Sequence, residues 1–261
     1  MIRWWIPPLL AIQFLTRLPV PGLAGLNAAT AKAGLARSVV WFPVVGALVG
    51  TVTAAVILLA EQFWPRAIAV ILALILEARL TGAFHEDAVA DFCDGFGCGI
   101  TPQRIHEIMK DSRIGSYGAV GLGLAMALRA SLLIALPTAM ILPALLASAS
   151  FGRWLAVAVM ATTAPFEPLK EQANTLGKDV GARTSIAQWL AATGLTLPFL
   201  LPLLLVRLEP ISVAIGATIL FLSWFRHFLL RHLGGVTGDC LGFAVYTGQI
   251  FILLAATAQI P

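Results

Sequence analysis

Long apolar runs without charge recur along the chain and limit what it can fold into. Residues 39–60, for example, contain no Asp, Glu, Lys or Arg. A run of this length crosses the hydrocarbon core of a bilayer as a helix, which satisfies its own backbone polar groups. Other runs are similar, some with one or two charged residues inside. We therefore predict about seven spans, at residues 39–60, 67–84, 116–136, 140–164, 187–206, 211–230 and 241–260.

Composition supports the same class of protein. Apolar residues make up 59% of the 261 residues, charged residues only 11%, and soluble domains carry about a quarter charged residues. The mean hydropathy is +0.90. We predict an all-α, polytopic transmembrane helical bundle that forms a single domain over residues 1–261. Residues 4–15 are short, tryptophan-led and interrupted by proline, which favours an interfacial or re-entrant helix, although a true span is an alternative.

The distribution of positive charge predicts the orientation of the bundle. Lys and Arg are retained on the cytoplasmic side of membrane proteins. With the first 38 residues placed inside, twelve of the 17 Lys and Arg residues fall on inner segments, and only Arg66 and Arg207 fall on outer connections. We therefore expect the long polar loops to face the cytoplasm. The net charge of +4 follows from this bias, so we predict no nucleic-acid partner.

The polar segment at residues 85–118 stands out against these apolar runs. It holds six of the 13 acidic residues: Glu86, Asp87, Asp91, Asp94, Glu107 and Asp111. Unpaired charge beside hydrocarbon is expensive, so such a concentration needs a physical reason. Bound divalent cations or a charged substrate would supply one.

Asp87, Asp91 and Asp94 are spaced i, i+4 and i+7, which places them on one stripe of a helix that we expect to continue from the second span. Three neighbouring carboxylates repel each other unless a cation lies between them. Oxygen ligands favour Mg²⁺, Mn²⁺ or Ca²⁺ over zinc, and Mg²⁺ is usually completed by substrate phosphates. The stripe therefore indicates a metal site that handles a diphosphate. A solvated helix face is the alternative interpretation.

The residues after the stripe extend this site. Thr101 and Pro102 predict the start of a helix that runs to Met109. Lys110 and Arg113 follow it and could hold phosphate oxygens, or could be ordinary charges of an inner loop.

Three further positions belong to the same candidate site. His85 precedes the stripe and could be a base, a ligand or a structural group. Asp239 lies in a glycine-rich segment before the last span and could complete the metal site or cap a helix. Gly238, beside it, would let the backbone approach a ligand.

Two weaker features remain. The polar loop at residues 170–183 includes Asn174 and Lys178 and would suit a nucleotide or a headgroup. Glu77 and Arg79 lie inside a predicted span, and we expect each to pair across helices or to line the bundle interior.

Four blocks of residues resemble the cobalamin synthase family, whose members are adenosylcobinamide-GDP ribazoletransferases. They are QFLTRLPVP at 13–21, the acidic block from His85 to Asp94, IMKDSRIGSYG at 108–118, and GGVTGDCLG at 234–242. Their order and spacing extend over essentially the whole chain. The chain departs from the family pattern at Ala88, where a glycine is usual, and after Gly242, where family members often carry a glutamate.

The resemblance implies a reaction. The donor would be adenosylcobinamide-GDP, the acceptor α-ribazole or its 5′-phosphate, and GMP would leave when the acceptor hydroxyl attacks the corrin-side phosphorus. The protein would act at the cytoplasmic face of the bacterial inner membrane, surrounded by lipid.

The resemblance also implies residue roles. Mg²⁺ would be the cofactor, held by a carboxylate set. The predicted metal ligands are Glu86, Asp87, Asp91, Asp94 and Asp239. Candidates for the base are His85, Asp94 and Asp111. The predicted substrate-binding residues are Arg17, Lys110, Arg113, Asn174, Lys178 and Gly238, of which Lys110 and Arg113 would stabilise the leaving phosphate.

Two other functions compete with this one. A phosphotransferase for CDP-alcohols or polyprenyl phosphates would keep the chemistry and change the substrate, but the aspartate pattern of the CDP-alcohol enzymes is absent. A cation-coupled transporter would use the acidic residues as an ion path. Transporters place such charges near the bilayer midplane, often in repeated halves, and the sequence has no internal repeat.

Overall fold

A computed structural model describes residues 3–167 and 184–259 of the protein. Within these ranges the chain forms eleven α-helices and no strand. The helices are α1 (Ile6–Leu15), α2 (Ala28–Ser38), α3 (Phe42–Ala60), α4 (Arg66–Thr81), α5 (Phe84–Cys98), α6 (Pro102–Met109), α7 (Ser116–Ala135), α8 (Thr138–Thr162), α9 (Ile186–Val206), α10 (Leu208–His232) and α11 (Gly238–Thr257). The predicted all-α architecture is confirmed.

Six elements of the described chain are long and apolar enough to cross a membrane. They are the element Ala28–Ala60, which joins α2 and α3, and the helices α7 to α11. Helices α4 and α5 pass the same test only together, and they are bent by 88° at their junction. The protein is therefore a multi-pass helical membrane bundle, and the predicted count of about seven spans holds when the bent pair is counted as one.

Helix α8 lies at the centre of the bundle. It is buried along most of its length and packs against α3, α9 and α11. Glycines let α3 approach it closely, since a Cβ added at Gly46 or Gly50 would overlap the backbone carbonyl oxygens of Ala149 and Leu145. Small residues are the usual means of close helix packing in membranes, where lipid provides no hydrophobic force between helices. This core supports the polar elements described below.

Helix α1 has only ten residues, too few to cross a bilayer. Its side chains Ile6, Leu10 and Leu15 are buried in an apolar cluster with residues of α2 and α3. The alternative that residues 4–15 form a true span is therefore wrong, while their interfacial position stays a prediction.

The prediction that the acidic helix continues from the second span is also wrong. Helix α4 ends at Thr81, and Gly82 and Ala83 both adopt left-handed backbone conformations, with φ of 74° and 56°. Glycine adopts this conformation readily, whereas alanine does so only under constraint. The backbone amide of Arg17 donates to the carbonyl oxygen of Leu80 at 2.7 Å, which fixes the last turn of α4. Helix α5 therefore starts in a new direction, and it packs against α7 and α11.

The polar connections at one end of the bundle contact each other. The backbone amide of Phe166 donates to the carbonyl oxygen of Val236 at 2.9 Å, which ties the segment after α8 to the loop before α11. The ring of His106 on α6 packs against Phe166. Helix α6 itself starts as predicted, because the Thr101 hydroxyl accepts a hydrogen bond from the Arg104 amide at 3.3 Å.

Candidate functional site

Helix α5 carries the acidic residues and is held between α6, α7 and α11. Glu86 and Asp87 occupy its first turn, where negative charge is stabilised by the exposed amides of the helix end. The contact with α11 is close, since a Cβ added at Gly242 would overlap Ala88. The alanine that departs from the family pattern therefore lies directly against a glycine of the last helix.

One face of α5 meets the end of α6 and the first turn of α11. The Lys110 ammonium lies 2.9 Å from a carboxylate oxygen of Asp239, although the two residues are 129 positions apart. Asp91 is partly buried and interacts electrostatically with Asp87, Asp239 and Lys110. We call these four residues the acidic cluster. It brings together side chains from three of the four motif blocks.

Asp239 does not cap its helix, so that alternative interpretation is wrong. The N-cap of α11 is Thr237, whose hydroxyl accepts a hydrogen bond from the Cys240 amide at 3.4 Å. The Asp239 carboxylate is left to contact Lys110. Gly238, next to it, is exposed, and nothing lies within 4 Å of a Cβ added there. The space beside Gly238 is therefore open to a ligand.

Asp94 lies on α5 but makes different contacts. It is buried, and its two carboxylate oxygens accept hydrogen bonds from the backbone amides of Gly115 and Gly118, at 2.7 and 2.8 Å. These bonds fasten the start of α7 to α5 and satisfy two amides that the helix leaves without partners. The contacts give this carboxylate a structural role, while its predicted roles as metal ligand and base stay predictions.

His85 and Glu86 lie in the first turn of α5, directly before Asp87, the exposed end of the stripe. His85 is buried, and its ring packs edge-on against Phe84. A carboxylate oxygen of Glu86 lies 3.6 Å from the guanidinium of Arg129, a buried residue of α7. Glu86 is therefore already paired with a cation of the protein.

Asp111 and Arg113 form a local pair in the exposed turn between α6 and α7. The Arg113 guanidinium donates three hydrogen bonds to the Asp111 carboxylate, at 3.0, 3.2 and 2.6 Å. These bonds lower the pKa of Asp111 to about 2, so this carboxylate is ionised at neutral pH and is a weak base. The Arg113 side chain is 87% exposed, which leaves it free to exchange Asp111 for another anion.

A metal-binding cage is not preformed in the described residues. No group of three or more His, Cys, Asp or Glu side chains there is close enough to hold an ion. The donor chemistry of the acidic cluster nevertheless fits Mg²⁺, which is commonly held by one or two carboxylates together with substrate phosphates and water. The ammonium of Lys110 balances part of this negative charge.

The other predicted substrate-binding residues lie elsewhere. Arg17 lines a surface groove along α4 together with Arg79, and no member of the acidic cluster contributes to that groove. Asn174 and Lys178 lie outside the described residues. The expectation for Arg79 is wrong, since this residue is exposed and neither lines the interior nor pairs across helices within the described chain.

A buried ionic network that was not predicted from the sequence adjoins the acidic cluster through Glu86. Glu77 pairs across helices as expected, but its partner is Arg129, at 2.7 Å. The same guanidinium also reaches Glu86. Arg153 of α8 is fully buried nearby and interacts electrostatically with both carboxylates. The only sequence signal for this network was the presence of charged residues inside apolar runs.

Comparison with known proteins identifies the family to which the chain belongs. Residues 7–257 match the family model described as "Cobalamin-5-phosphate synthase". No solved structure matches the chain significantly.

Curated relatives that bear the name adenosylcobinamide-GDP ribazoletransferase match over nearly their whole length. One from Vibrio cholerae is 37% identical over 254 residues, with 96% of this chain and 92% of the relative covered. One from Ralstonia nicotianae is 35% identical over 249 residues, with 94% and 92% covered. One from Klebsiella pneumoniae is 35% identical over 251 residues, with 94% and 96% covered.

Proposed function

The chain belongs to the cobalamin-5-phosphate synthase family, and we propose that it is a membrane-embedded adenosylcobinamide-GDP ribazoletransferase. In this reaction a hydroxyl of α-ribazole, or of its 5′-phosphate, attacks the corrin-side phosphorus of adenosylcobinamide-GDP. A new P–O bond forms while the bond to the leaving GMP breaks, and a base takes the hydroxyl proton.

The observation that carries this proposal is the contact between Lys110 and Asp239 beside Asp91. It joins the acidic block, the MKDSRIG block and the glycine-rich closing block at one place. A diphosphate donor needs cations for its oxygens and a positioned partner for the acceptor. Open space beside Gly238 would let a phosphate approach the first turn of α11, where exposed amides favour anions.

Each charged residue of the cluster has a proposed task. Lys110 would exchange Asp239 for a phosphate oxygen, and the exposed Arg113 would turn from Asp111 toward the leaving GMP. Mg²⁺ held by Asp87, Asp91 and Asp239 would neutralise charge on the diphosphate.

The base is the least constrained role. Asp94 has both oxygens engaged by backbone amides, and the pKa of Asp111 is about 2. Neither is suited to accept a proton at neutral pH. The third predicted candidate is His85, whose imidazole makes no hydrogen bond within the described chain. We propose that it be tested first as the base.

We place the site at the cytoplasmic face of the bacterial inner membrane. The excess of Lys and Arg on the segments that adjoin the acidic cluster supports this orientation. The connections from α5 to α7 and from α10 to α11 meet at this cluster, so both belong to the same face of the bundle.

One assay tests the proposal directly. The purified protein in detergent would receive adenosylcobinamide-GDP, α-ribazole and Mg²⁺, and GMP release would be followed. We expect GMP release that needs the acceptor, stops on chelation of the metal and returns with added Mg²⁺. Absence of acceptor-dependent GMP release from folded protein would contradict the proposed function, and release that persists after chelation would contradict the metal assignment.

A further inference from the structure

Arg129 joins the two halves of the bent helix pair. One terminal nitrogen of its guanidinium donates to both carboxylate oxygens of Glu77, at 2.7 and 2.9 Å. The other lies 3.6 Å from Glu86. Glu77 is on α4 and Glu86 is on α5, so a single side chain of α7 holds a residue on each side of the bend.

Two neighbouring helices also contact the pair of Arg129 and Glu77. The Thr53 hydroxyl of α3 donates to Glu77 at 2.8 Å. The ring of Tyr246 on α11 lies 5.6 Å from the central carbon of the Arg129 guanidinium. Arg129 and Glu77 are both almost inaccessible, with 2% and 4% exposure. Residues of five helices therefore meet around the pair of Arg129 and Glu77.

Stability alone does not account for this arrangement. A buried ion pair adds little free energy of folding compared with well-packed apolar side chains, because the charges lose their hydration. Its best-attested role is to select one geometry. The geometry at stake is the junction of α4 and α5, where Ala83 has a left-handed backbone that alanine adopts only when its surroundings enforce it. An ionic link across the bend supplies such enforcement.

We propose that Arg129 is a positioning residue that fixes the direction of α5, and that Glu86 belongs to this link and not to the metal-binding set. The link orients the helix that carries Asp87 and Asp91, and so determines how these carboxylates face Asp239 on α11. Its catalytic consequence rests on the function proposed above, whereas the orientation of α5 does not.

Distance measurements between spin labels test the orientation without any substrate. One label would be placed on the exposed Cys98 of α5 and one on Ile71→Cys of α4, in a background with Cys93 and Cys240 replaced by alanine. We expect a narrow distance distribution in this background and a broader, shifted one in R129Q. Arg129→Lys, which keeps the charge, should restore part of the narrow distribution.

Arg66→Gln is the matched control. It removes one arginine from the opposite end of α4, where Arg66 pairs with Glu61 and bonds the carbonyl oxygen of Leu136. We expect its distance distribution to match the background. If R129Q does not fold, Glu86→Gln serves in its place, because it cuts the link on the α5 side and leaves the pair of Glu77 and Arg129. Unchanged distributions in every folded variant of Arg129 and Glu86 would overturn the proposal.

Mn²⁺ binding, followed by electron paramagnetic resonance, tests the assignment of Glu86. Asp91→Asn should lose at least about tenfold in Mn²⁺ affinity, because it removes a ligand charge. E86Q should lose less than this and should match R129Q, since both act through the same link. A loss in E86Q as large as that in D91N, with R129Q unaffected, would make Glu86 a ligand and overturn the proposal. Neither readout requires turnover, so a failed GMP assay would leave this result standing.

Discussion

At the scale of single residues, Asp91 is the carboxylate on which the proposed site depends most. It is partly buried on α5 and interacts electrostatically with both Asp239 and Lys110. We expect Asp91→Asn to lower the rate of GMP release by roughly 10²–10³, because it removes a ligand charge that would hold Mg²⁺ against the diphosphate. The amide has nearly the same shape, so the thermal midpoint should change little.

Glu107→Gln is the matched control for this change. Glu107 is an exposed acid of α6 that pairs only with Arg104 in the described chain, and its loss should leave GMP release unaltered. Turnover of Asp91→Asn near that of the wild type at saturating Mg²⁺ would remove Asp91 from the site.

Arg113 tests whether shape matters as well as charge. A guanidinium presents a planar set of donors to a phosphate, whereas an ammonium is a point charge. We expect Arg113→Lys to lose about ten- to hundredfold in kcat/KM, since one charge-assisted hydrogen bond and its alignment are lost. Arg104→Lys, an equally polar change on α6, should have no effect. Wild-type kinetics for Arg113→Lys would show that Arg113 contributes only its positive charge, which helps to orient the protein in the membrane.

At the scale of elements, the junction of α5 and α7 depends on glycine. A Cβ added at Gly118 would overlap the Asp94 carboxylate and approach the Ala90 carbonyl oxygen. Gly118→Ala should therefore destabilise the protein by about 1–3 kcal/mol through overpacking and loss of the Asp94 bonds. Gly123 lies on the same helix with nothing within 4 Å of an added Cβ.

Gly123→Ala is the matched control: the same chemical change is expected to alter the stability in the opposite direction. Alanine is favoured over glycine inside a helix by about 0.5–1 kcal/mol, so this variant should be neutral or slightly stabilised. Thermal unfolding of both variants in the same detergent checks the pair. Equal thermal midpoints would show that Asp94 does not fasten α7 to α5.

Much of the helical architecture was predictable because it depends on local signals. Apolar runs gave the spans, and Thr101 with Pro102 gave the start of α6. The bend at Gly82 was not predictable, because one glycine within a helical pattern does not by itself mark the end of a helix. The contacts of Asp94 were hidden for a different reason. Its position on the stripe of α5 would be the same whether the carboxylate bound a metal ion or accepted hydrogen bonds from the amides of another helix.

The candidate site shows the same division. The identity of its residues followed from motif blocks, whereas the pairing of Lys110 with Asp239 and of Arg129 with Glu86 is set by helix packing. Spacing along the chain carries no information on such contacts.

At the scale of the whole molecule, orientation in the membrane decides which pool of substrate the site can reach. The proposal of a cytoplasmic site rests on the bias of Lys and Arg. Gln103 is exposed on α6, the helix that ends at Lys110 of the acidic cluster. Gln62 is exposed in the connection between α3 and α4. A cysteine at each position, in a background without the native cysteines, reports one face of the bundle.

We expect an impermeant thiol reagent added to intact spheroplasts to label Gln62→Cys and to spare Gln103→Cys. Permeabilised cells should label both, which shows that each thiol is reactive. The physical reason is that moving the positively charged inner loops across the membrane during insertion is unfavourable, so the charge bias fixes one orientation. Because the two probes flank the same bent helix pair, they report opposite ends of one element, and a dual topology would label both in intact spheroplasts. Labelling of Gln103→Cys alone would show that the bundle has the opposite orientation. The acidic cluster would then lie on the periplasmic side, away from nucleotide-activated substrates made in the cytoplasm.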